Sequence, residues 1–188
     1  MRKYLLILTV LLGCTGEHKS EANKHHGGKG KEFYLLLEQL PTLKTPLAFN
    51  SNRHITNKAP ESQKKLALKI QALDSGLNLY GKIYQTENYI AIIAIGAADR
   101  LIPVLATYDK NGDIVDSFSM FSTAGDDVGY HSTNIATLTA NKEIIWTDST
   151  VTRKVDKDGS NEIPGTDSLS TMKKIFRLDE HGKILKIK

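Results

Sequence analysis

The chain has 188 residues, of which 40% are hydrophobic and 24% are charged, a composition that allows one globular core of ordinary size. The formal net charge is +4, and it falls to +2 when Arg2 and Lys3 of the first segment are set aside. This balance, with no basic run interleaved with aromatic residues, argues against a nucleic-acid partner.

Residues 1–13 have the layout of a secretory signal peptide. The basic residues Arg2 and Lys3 precede an apolar stretch, Tyr4–Leu12, which is too short to span a bilayer because spanning takes about 20 residues. The single cysteine of the chain follows directly, in the order Leu11-Leu12-Gly13-Cys14.

This order of segments resembles the lipobox of bacterial lipoproteins. In that family the signal peptidase cuts before the cysteine, which carries a diacylglyceryl thioether and an acylated amine. The resemblance implies that Cys14 is lipidated and anchors the protein to a membrane of the cell envelope. Thr15 stands where an Asp would suggest inner-membrane retention, which favours the outer membrane. The alternative is an ordinary signal peptide with an unrelated cysteine, although a lone cysteine has no disulfide partner.

Residues 14–31 are expected to be a lipidated cysteine followed by a flexible tether, because residues 15–31 are polar and rich in glycine and lysine. His18, His25 and His26 could capture a transition metal there, and solvated linker histidines are the simpler interpretation. Residues 32–188 are expected to form a single globular domain, and in general style the chain resembles small envelope lipoproteins.

Two helices are predicted at the start of this domain. Residues 32–40 favour a short helix that ends before Pro41, with a strand as the alternative because the apolar run is dense. The following 20 residues contain three prolines and are interpreted as irregular. Residues 61–73 are the stronger helix, since Leu66, Ile70 and Leu73 share one face that would pack against a sheet.

From Leu77 onward the pattern changes to β-strands. Residues 89–95 are continuously apolar, which predicts a central strand covered on both faces. The eight predicted strands span residues 77–85, 89–95, 101–108, 114–121, 134–139, 143–155, 171–178 and 184–188.

A recurring turn signature separates several of these strands. The residues Asp109-Lys110-Asn111-Gly112 predict a type I turn with Gly at a positive φ. The same Asp-x-x-Gly spacing recurs at Asp156–Gly159 and Asp179–Gly182. With Asp109 opposite Asp113, Tyr108 would pair with Ile114 and Val104 with Phe118. The whole pattern predicts an α+β fold: one large curved antiparallel meander of about eight strands, sandwich-like or barrel-like, with one or two short N-terminal helices.

Residues 122–133 are interpreted as a loop that is longer than a hairpin requires. It contains Asp126, Asp127, Tyr130 and His131, and long loops on a sheet scaffold often carry function. Carboxylates five and four residues before a histidine could bind a metal or support acid–base chemistry. Solvated loop carboxylates are the plainer interpretation, so these residues are predicted as a binding loop, with no metal site and no catalytic residue assigned.

Other chemistry has little support in the sequence. Residues 156–170 superficially resemble a calcium loop, but Asn161 and Asp167 stand where an EF-hand needs Gly and Glu. Plain turn chemistry explains the stretch better. Trp146 is expected in the core rather than on a ligand surface. The sequence contains no Gly-x-Ser-x-Gly, no P-loop and no second cysteine, so no cofactor is assigned.

Two functions from different classes follow from these observations. The first is a lipid-anchored envelope protein that binds a protein or glycan partner, or has a structural role, without catalysis. The second is a periplasmic or surface hydrolase that uses residues 122–133. A cleft that gathers Asp126, Asp127 and His131 with another carboxylate would favour the hydrolase.

Overall fold

The computed structural model describes residues 30–53, 64–73, 79–97 and 101–188, so Cys14, the signal peptide and nearly all of the tether lie outside the described residues. Within these ranges there are two helices, α1 (Gly30–Glu38) and α2 (Lys64–Leu73). The ten strands found there are β1 (Leu47–Asn50), β2 (Leu79–Gln85), β3 (Tyr89–Ala97), β4 (Leu101–Asp109), β5 (Ile114–Ser119), β6 (Gly125–Asp127), β7 (Tyr130–Leu138), β8 (Glu143–Thr152), β9 (Ser168–Leu178) and β10 (Ile184–Lys186).

The strands form two antiparallel sheets rather than the single large sheet expected. One has the order β2-β3-β4-β5, and the other has the order β1-β7-β8-β9-β10 with β6 also paired to β7. The expectation of one continuous sheet was wrong because the chain crosses from one sheet to the other after β5, at residues 120–124, and the sandwich-like alternative agrees better with two sheets that share a core. Neither sheet closes into a barrel within the described ranges.

All eight predicted strands are present, and two further strands, β1 and β6, were missed. Both are short, at four and three residues, and both lie among turn-forming residues that hide the strand pattern. The segment after Pro41, interpreted as irregular, therefore contributes β1 to the larger sheet, where Leu47 lies opposite Leu138.

The main core lies between the two sheets. Tyr89 and Leu105 of the smaller sheet and Leu138 and Trp146 of the larger one are buried together in it. Trp146 is only 3% exposed, and its indole N–H donates to the Met120 carbonyl at 3.0 Å. The expected core position of Trp146 is therefore confirmed.

Strand β3 separates this core from a second one. Tyr89, Ala91 and Ile93 belong to the core between the sheets, whereas Ile90 and Ile92 pack with α1 and α2 on the other face. The prediction of a central strand covered on both faces is confirmed. The helices contribute apolar side chains to the second core, namely Phe33, Tyr34, Leu37 and Ile70.

The β4–β5 turn has the predicted conformation, but the two strands that follow from it pair in a shifted register. Gly112 has a φ of +75°, and its N–H donates to the Asp109 carbonyl at 3.0 Å. Tyr108 pairs with Ile114 as expected, but a bulge follows at Thr107. Phe118 therefore lies opposite Leu105 instead of Val104, which places both side chains against the core between the sheets.

The molecule has two distinct ends. At the near end, defined as residues 30, 86–88, 110–112, 140–142 and 180–183, the Asn88 amide donates to the Glu180 carbonyl at 3.0 Å. Gly30 packs so closely on the β4–β5 turn that a Cβ on Gly112 would lie 2.6 Å from the Gly30 oxygen. The distal end comprises residues 128–129 and 153–167. The ten residues of β8 run between the two ends, about 33 Å at the usual rise per residue.

Neither of the described helices has the length and apolar character required to cross a bilayer.

Candidate binding site at the distal end

Residues 122–133 form a hairpin rather than the expected open loop. Strand β6 ends at Asp127 and β7 begins at Tyr130, so only two residues connect them. Gly129 supplies the positive φ, +75°, that such a tight connection requires. The prediction of a long loop was wrong because the β7–β8 ladder extends four residues further toward the distal end than the apolar pattern indicated.

The hairpin brings one pair of the four predicted site residues together. Asp126 and His131 are directly opposed in the ladder between β6 and β7. Asp127 instead accepts the N–H of the following residue at 2.7 Å, and the Tyr130 hydroxyl donates to the Thr123 carbonyl at 3.3 Å. Asp127 and Tyr130 therefore make contacts of their own near the Asp126–His131 pair.

His131 lies between two carboxylates. Its Nδ1 is 3.3 Å from Asp126 Oδ1, and its Nε2 is 2.6 Å from Glu162 Oε1. Since both ring nitrogens face acceptors, the arrangement is best satisfied by the doubly protonated imidazolium. The hydrogen bond to Glu162, followed by that to Asp126, raises the pKa of His131 above its ordinary value.

Glu162 is shared between His131 and a second cation. Arg153 Nη1 donates to Glu162 Oε2 at 2.5 Å, and the Gly129 N–H donates to Oε1 at 3.1 Å. Arg153, with the help of His131, lowers the pKa of Glu162 to about 2. The Nε of Arg153 also donates to Asp167 at 2.6 Å, and these two carboxylates raise the pKa of the guanidinium. This chain of contacts, the His131 clamp, fastens residues 153–167 onto the β6–β7 hairpin.

The clamp has the arrangement of a structural ion-pair network. The side chains of His131 and Glu162 are 41% and 22% exposed, so the charges remain partly hydrated. The neighbouring hydroxyl, that of Ser132, points to the opposite face of the sheet and donates to Asp148 at 2.6 Å. Across the described ranges no group of three or more His, Cys, Asp and Glu side chains has the geometry of a metal site.

A second polar cluster is buried on the inner face of the larger sheet. Asn134 is fully buried, and its amide donates to Asp148 at 2.9 Å and to the Thr123 hydroxyl at 2.8 Å. Its oxygen accepts the N–H groups of Thr123 and Ala124, both at 3.0 Å. Ser132 joins through the same carboxylate. The cluster fixes the crossing segment between the two sheets.

The sequence contained a signal for this cluster that was not used. Ser132, Asn134, Ala136 and Leu138 alternate along β7 with the side chains of the outer face, and all four are buried. Ser132 and Asn134 occupy the same face of the strand as the apolar residues Ala136 and Leu138. Polar residues at such buried positions indicate side chains that are hydrogen-bonded within the protein interior.

The calcium-like stretch is occupied by turn hydrogen bonds. Asp156 Oδ1 accepts the N–H groups of Ser160 and Asn161 at 2.9 and 3.3 Å, and Oδ2 accepts the Asn161 amide at 2.8 Å. The Asn161 side chain, with these backbone donors, lowers the pKa of Asp156. Both carboxylate oxygens are thus engaged within the turn itself, in keeping with the turn interpretation.

The near end has two shallow depressions of mixed character. One, of about 410 Å³, is lined by Asn88, Asp109, Lys110, Asn111, Val115 and His181. The Asp109 carboxylate accepts the N–H groups of Asn111 and Asp113 at 2.8 and 3.0 Å, so it serves the β4–β5 turn. The second, of about 350 Å³, lies between α1 and the β2–β3 turn.

Beyond the packed core, β7, β8 and β9 continue together as a distal arm, defined as residues 130–133, 147–152 and 168–173. Every residue of the β9 portion is exposed, and Leu169 and Met172 are 68% and 49% exposed on opposite faces. The β9 side of this extension lies outside both hydrophobic cores.

No family model, curated protein or solved structure matches this chain.

Proposed function

We propose that the protein is a lipid-anchored component of the bacterial cell envelope that binds a protein or glycan partner through its distal arm, without catalysis. The observation that carries this proposal is that Leu169 and Met172 are exposed on opposite faces of the arm. Single exposed apolar residues are common on protein surfaces, but Leu169 is the most exposed large apolar side chain among the described residues. The polar residues around them are engaged in turns and in the His131 clamp, which favours binding over chemistry.

The position of the arm supports this role. Gly30, at the end of the expected tether, packs against the β4–β5 turn of the near end, whereas residues 128–129 and 153–167 lie at the other end of β8. An anchor at Cys14 would therefore join the domain on the side away from the arm. We infer that the arm projects from the membrane surface toward its partner.

We also propose α+β as the class of this fold. The two helices pack together on one face of the smaller sheet, and all strand pairs within the sheets are antiparallel. Helix α2 lies between β1 and β2 in chain order, but these strands belong to different sheets. Helices segregated to one face of an antiparallel sheet are typical of this class.

Cell fractionation tests the anchor. Wild-type protein should remain in the membrane fraction, and Cys14→Ser should be released, because several acyl chains each add about 0.8 kcal/mol per buried CH₂. Equal membrane attachment of both forms would rule out lipidation at Cys14. The same preparations identify the outer or inner membrane by density separation.

Site-specific photo-crosslinking in cells tests the binding surface. A photoreactive residue at Leu169 or Met172, which are 68% and 49% exposed on the distal arm, should yield a discrete crosslinked product. The matched control is the same residue at Leu35, which is 46% exposed on α1. Equal products from all three positions would remove the distal arm as the site. A hydrolytic activity that is lost when Asp126, Asp127 and His131 are all changed to Ala would instead establish the hydrolase.

A further inference from the structure

The edge of β9 is open along most of the distal arm. Strand β9 pairs with β8 continuously from Arg177, opposite Glu143, to Ser168, opposite Thr152, with no shift in register. On its other side, β10 covers only residues 176–178, and residues 187–188 bond to Ile175. No strand in the described ranges pairs with residues 168–174 on that side, which we call the free edge.

The alternation of the ladder identifies the groups that the free edge presents. The Ile175 N–H donates to the Lys188 carbonyl, and the Ile175 carbonyl accepts the Ile187 N–H, both at 2.8 Å, so Ile175 bonds away from β8. Because strand residues alternate in direction, Leu169, Thr171 and Lys173 also direct their N–H and C=O groups away from β8. The free edge thus offers six main-chain groups in a regular row.

The usual protections of a sheet edge are largely missing here. Residues 168–174 contain no proline and no bulge, and their side chains are exposed up to Lys173. Proteins commonly guard an edge with such features or with charged residues. The only charged residues in this row are Lys173 and Lys174, at the end nearest the core.

The charge beside the free edge is positive. Lys173 points to the outer face, and Lys174 lies on the inner face with its Nζ 5.0 Å from the centre of the Trp146 ring. Strand β10 and the residues after it add Lys186 and Lys188 next to the covered part of β9. An acidic strand about 5 Å away would place carboxylates beside these lysines. A second copy paired antiparallel about Thr171 would instead place Leu169 and Ser168 opposite Lys173 and Lys174, so it would neutralise neither charge.

We propose that the free edge of β9 binds an extended, acidic polypeptide segment as an added strand. Main-chain hydrogen bonds to Leu169, Thr171 and Lys173 would hold the segment, and carboxylates opposite Lys173 and Lys174 would select it. The inference rests on the proposed binding role and names its partner class. Exposed Leu169 on the outer face and Met172 on the inner face supply the apolar contacts beside these charges.

Amide hydrogen exchange of the full chain in detergent micelles tests the proposal. The probe is the peptide acetyl-STVEDTS-amide, and its matched control is acetyl-STVKKTS-amide. At saturation the acidic peptide should slow exchange at least tenfold at Leu169, Thr171 and Lys173. Exchange at Ser170 and Met172, which already bond to β8, should stay unchanged. The basic peptide should protect none of these amides.

Two variants separate the main-chain and charge contributions. Thr171→Pro removes an N–H that points away from β8, so the β8 ladder is preserved, and it should weaken the acidic peptide at least tenfold. Thr171→Ala, which keeps the N–H, should bind like the wild type. Lys173→Glu keeps the strand and should shift the preference from the acidic to the basic peptide.

Several results would overturn the proposal. Unchanged exchange with the acidic peptide, or equal protection by both peptides, would exclude an acidic strand. Protection of Leu169, Thr171 and Lys173 without any peptide, together with a dimeric mass, would mean that a second copy covers the edge. If Thr171→Pro leaves the distal crosslinks in cells intact, the binding role stands and the free edge is not its site. If the acidic peptide protects these amides but the distal arm forms no crosslink in cells, the free edge can bind an acidic strand and the proposed binding role in the envelope is wrong.

Discussion

Strand β3 and the distal part of β9 show two different ways of holding a strand. Residues Tyr89–Ile95 of β3 are at most 8% exposed, because one face packs on the larger sheet and the other on the helices. Residues 168–173 of β9 are all exposed, yet they keep an unbroken ladder with β8. Burial stabilises the first strand, whereas hydrogen bonds and register from the neighbouring strand hold the second.

The two segments therefore serve different purposes: β3 stabilises the fold, and distal β9 remains available for binding. The segment YIAIIAI of β3 would be an aggregation hazard if exposed, and its burial contributes strongly to folding. The segment SLSTMKK of β9 is polar enough to remain in water with one edge open. We expect changes in β3 to affect folding and changes in distal β9 to affect binding.

The largest expected effect comes from truncating β3. Ile92→Ala removes a fully buried side chain that packs in the helix-facing core, so the free energy of unfolding should fall by about 2–5 kcal/mol. Leu169→Ala, at a position 68% exposed, should change it by less than about 0.5 kcal/mol. Urea unfolding of both variants measures the contrast, and similar midpoints would mean that the arm is part of the core.

A smaller difference is expected between two turn glycines. Gly182 and Gly159 have similar positive φ values, +88° and +70°, so a Val at either position is strained by more than about 1 kcal/mol. A Cβ at Gly182 would also lie 2.9 Å from the Tyr89 ring, whereas a Cβ at Gly159 meets nothing within 4 Å. Gly182→Val should therefore lower the denaturant midpoint more than Gly159→Val. The reverse order would show that the distal turn limits stability.

A substitution in the β7–β8 turn at the near end should increase the stability of the protein. Lys142 is the non-glycine residue with a positive φ, 60°, among the described residues, at the position that Gly112 and Gly182 occupy in their turns. Lys142→Gly should raise the free energy of unfolding by up to about 1 kcal/mol, because left-handed backbone costs an L-residue about that much. The loss of the Lys142 ammonium 5.7 Å from the Tyr89 ring works against this gain. Lys142→Ala, which keeps the strain and loses the ammonium, is the control and should not stabilise.

The smallest expected effect on global stability is the pH response of the His131 clamp. The pKa of His131 is raised above 6.5, so its contribution is complete below pH 6.5 and is lost as the pH rises through the raised value. The pKa of Glu162 is lowered from 4.5 to about 2, so its contribution is complete above pH 4.5 and is lost as the pH falls toward 2. The clamp should be tightest between these two limits, at pH 4.5–6.5.

An NMR titration of the His131 ring checks this pH response. Glu162→Gln removes the carboxylate that contributes most to the raised pKa, so the His131 pKa should fall toward 6.5. Asp127→Asn, beside the clamp but bonded to its own neighbour, should leave the titration unchanged. An identical His131 pKa in wild type and Glu162→Gln would show that the clamp is open in solution.

The parts of the fold that the sequence predicted are those set by local pattern. β-branched and apolar runs located eight strands, and the Asp–Gly spacing located turns at Gly112 and Gly182, where the positive φ is confirmed. The place where the chain passes from one sheet to the other was not predicted, because the crossing after β5 depends on the contact of Asn134 with residues 123–124. No local pattern reports a contact of that kind.

The candidate site was predicted only in part, for a related reason. Asp126 and His131 lie five positions apart, within the range where a sequence pattern can suggest a contact. Glu162 is 31 positions from His131, and the Arg153 side chain contacts Glu162 rather than His131. The open edge of β9 was also invisible, because whether a strand has one neighbour or two depends on the topology of the sheet.

Strand β1 pairs with β7, which comes much later in the chain, and this separation has a consequence for the order of folding. The β2–β5 sheet joins strands that follow one another along the chain, so each pairing closes only a short loop. In contrast, the Ser51 hydroxyl just after β1 accepts the Asn134 N–H across 83 positions of sequence. We expect the four-stranded meander to nucleate folding and β1 to dock near the end of the reaction, after β7 is in place. Until β1 docks, the edge of β7 that pairs with β1 would be exposed to solvent in a transient intermediate.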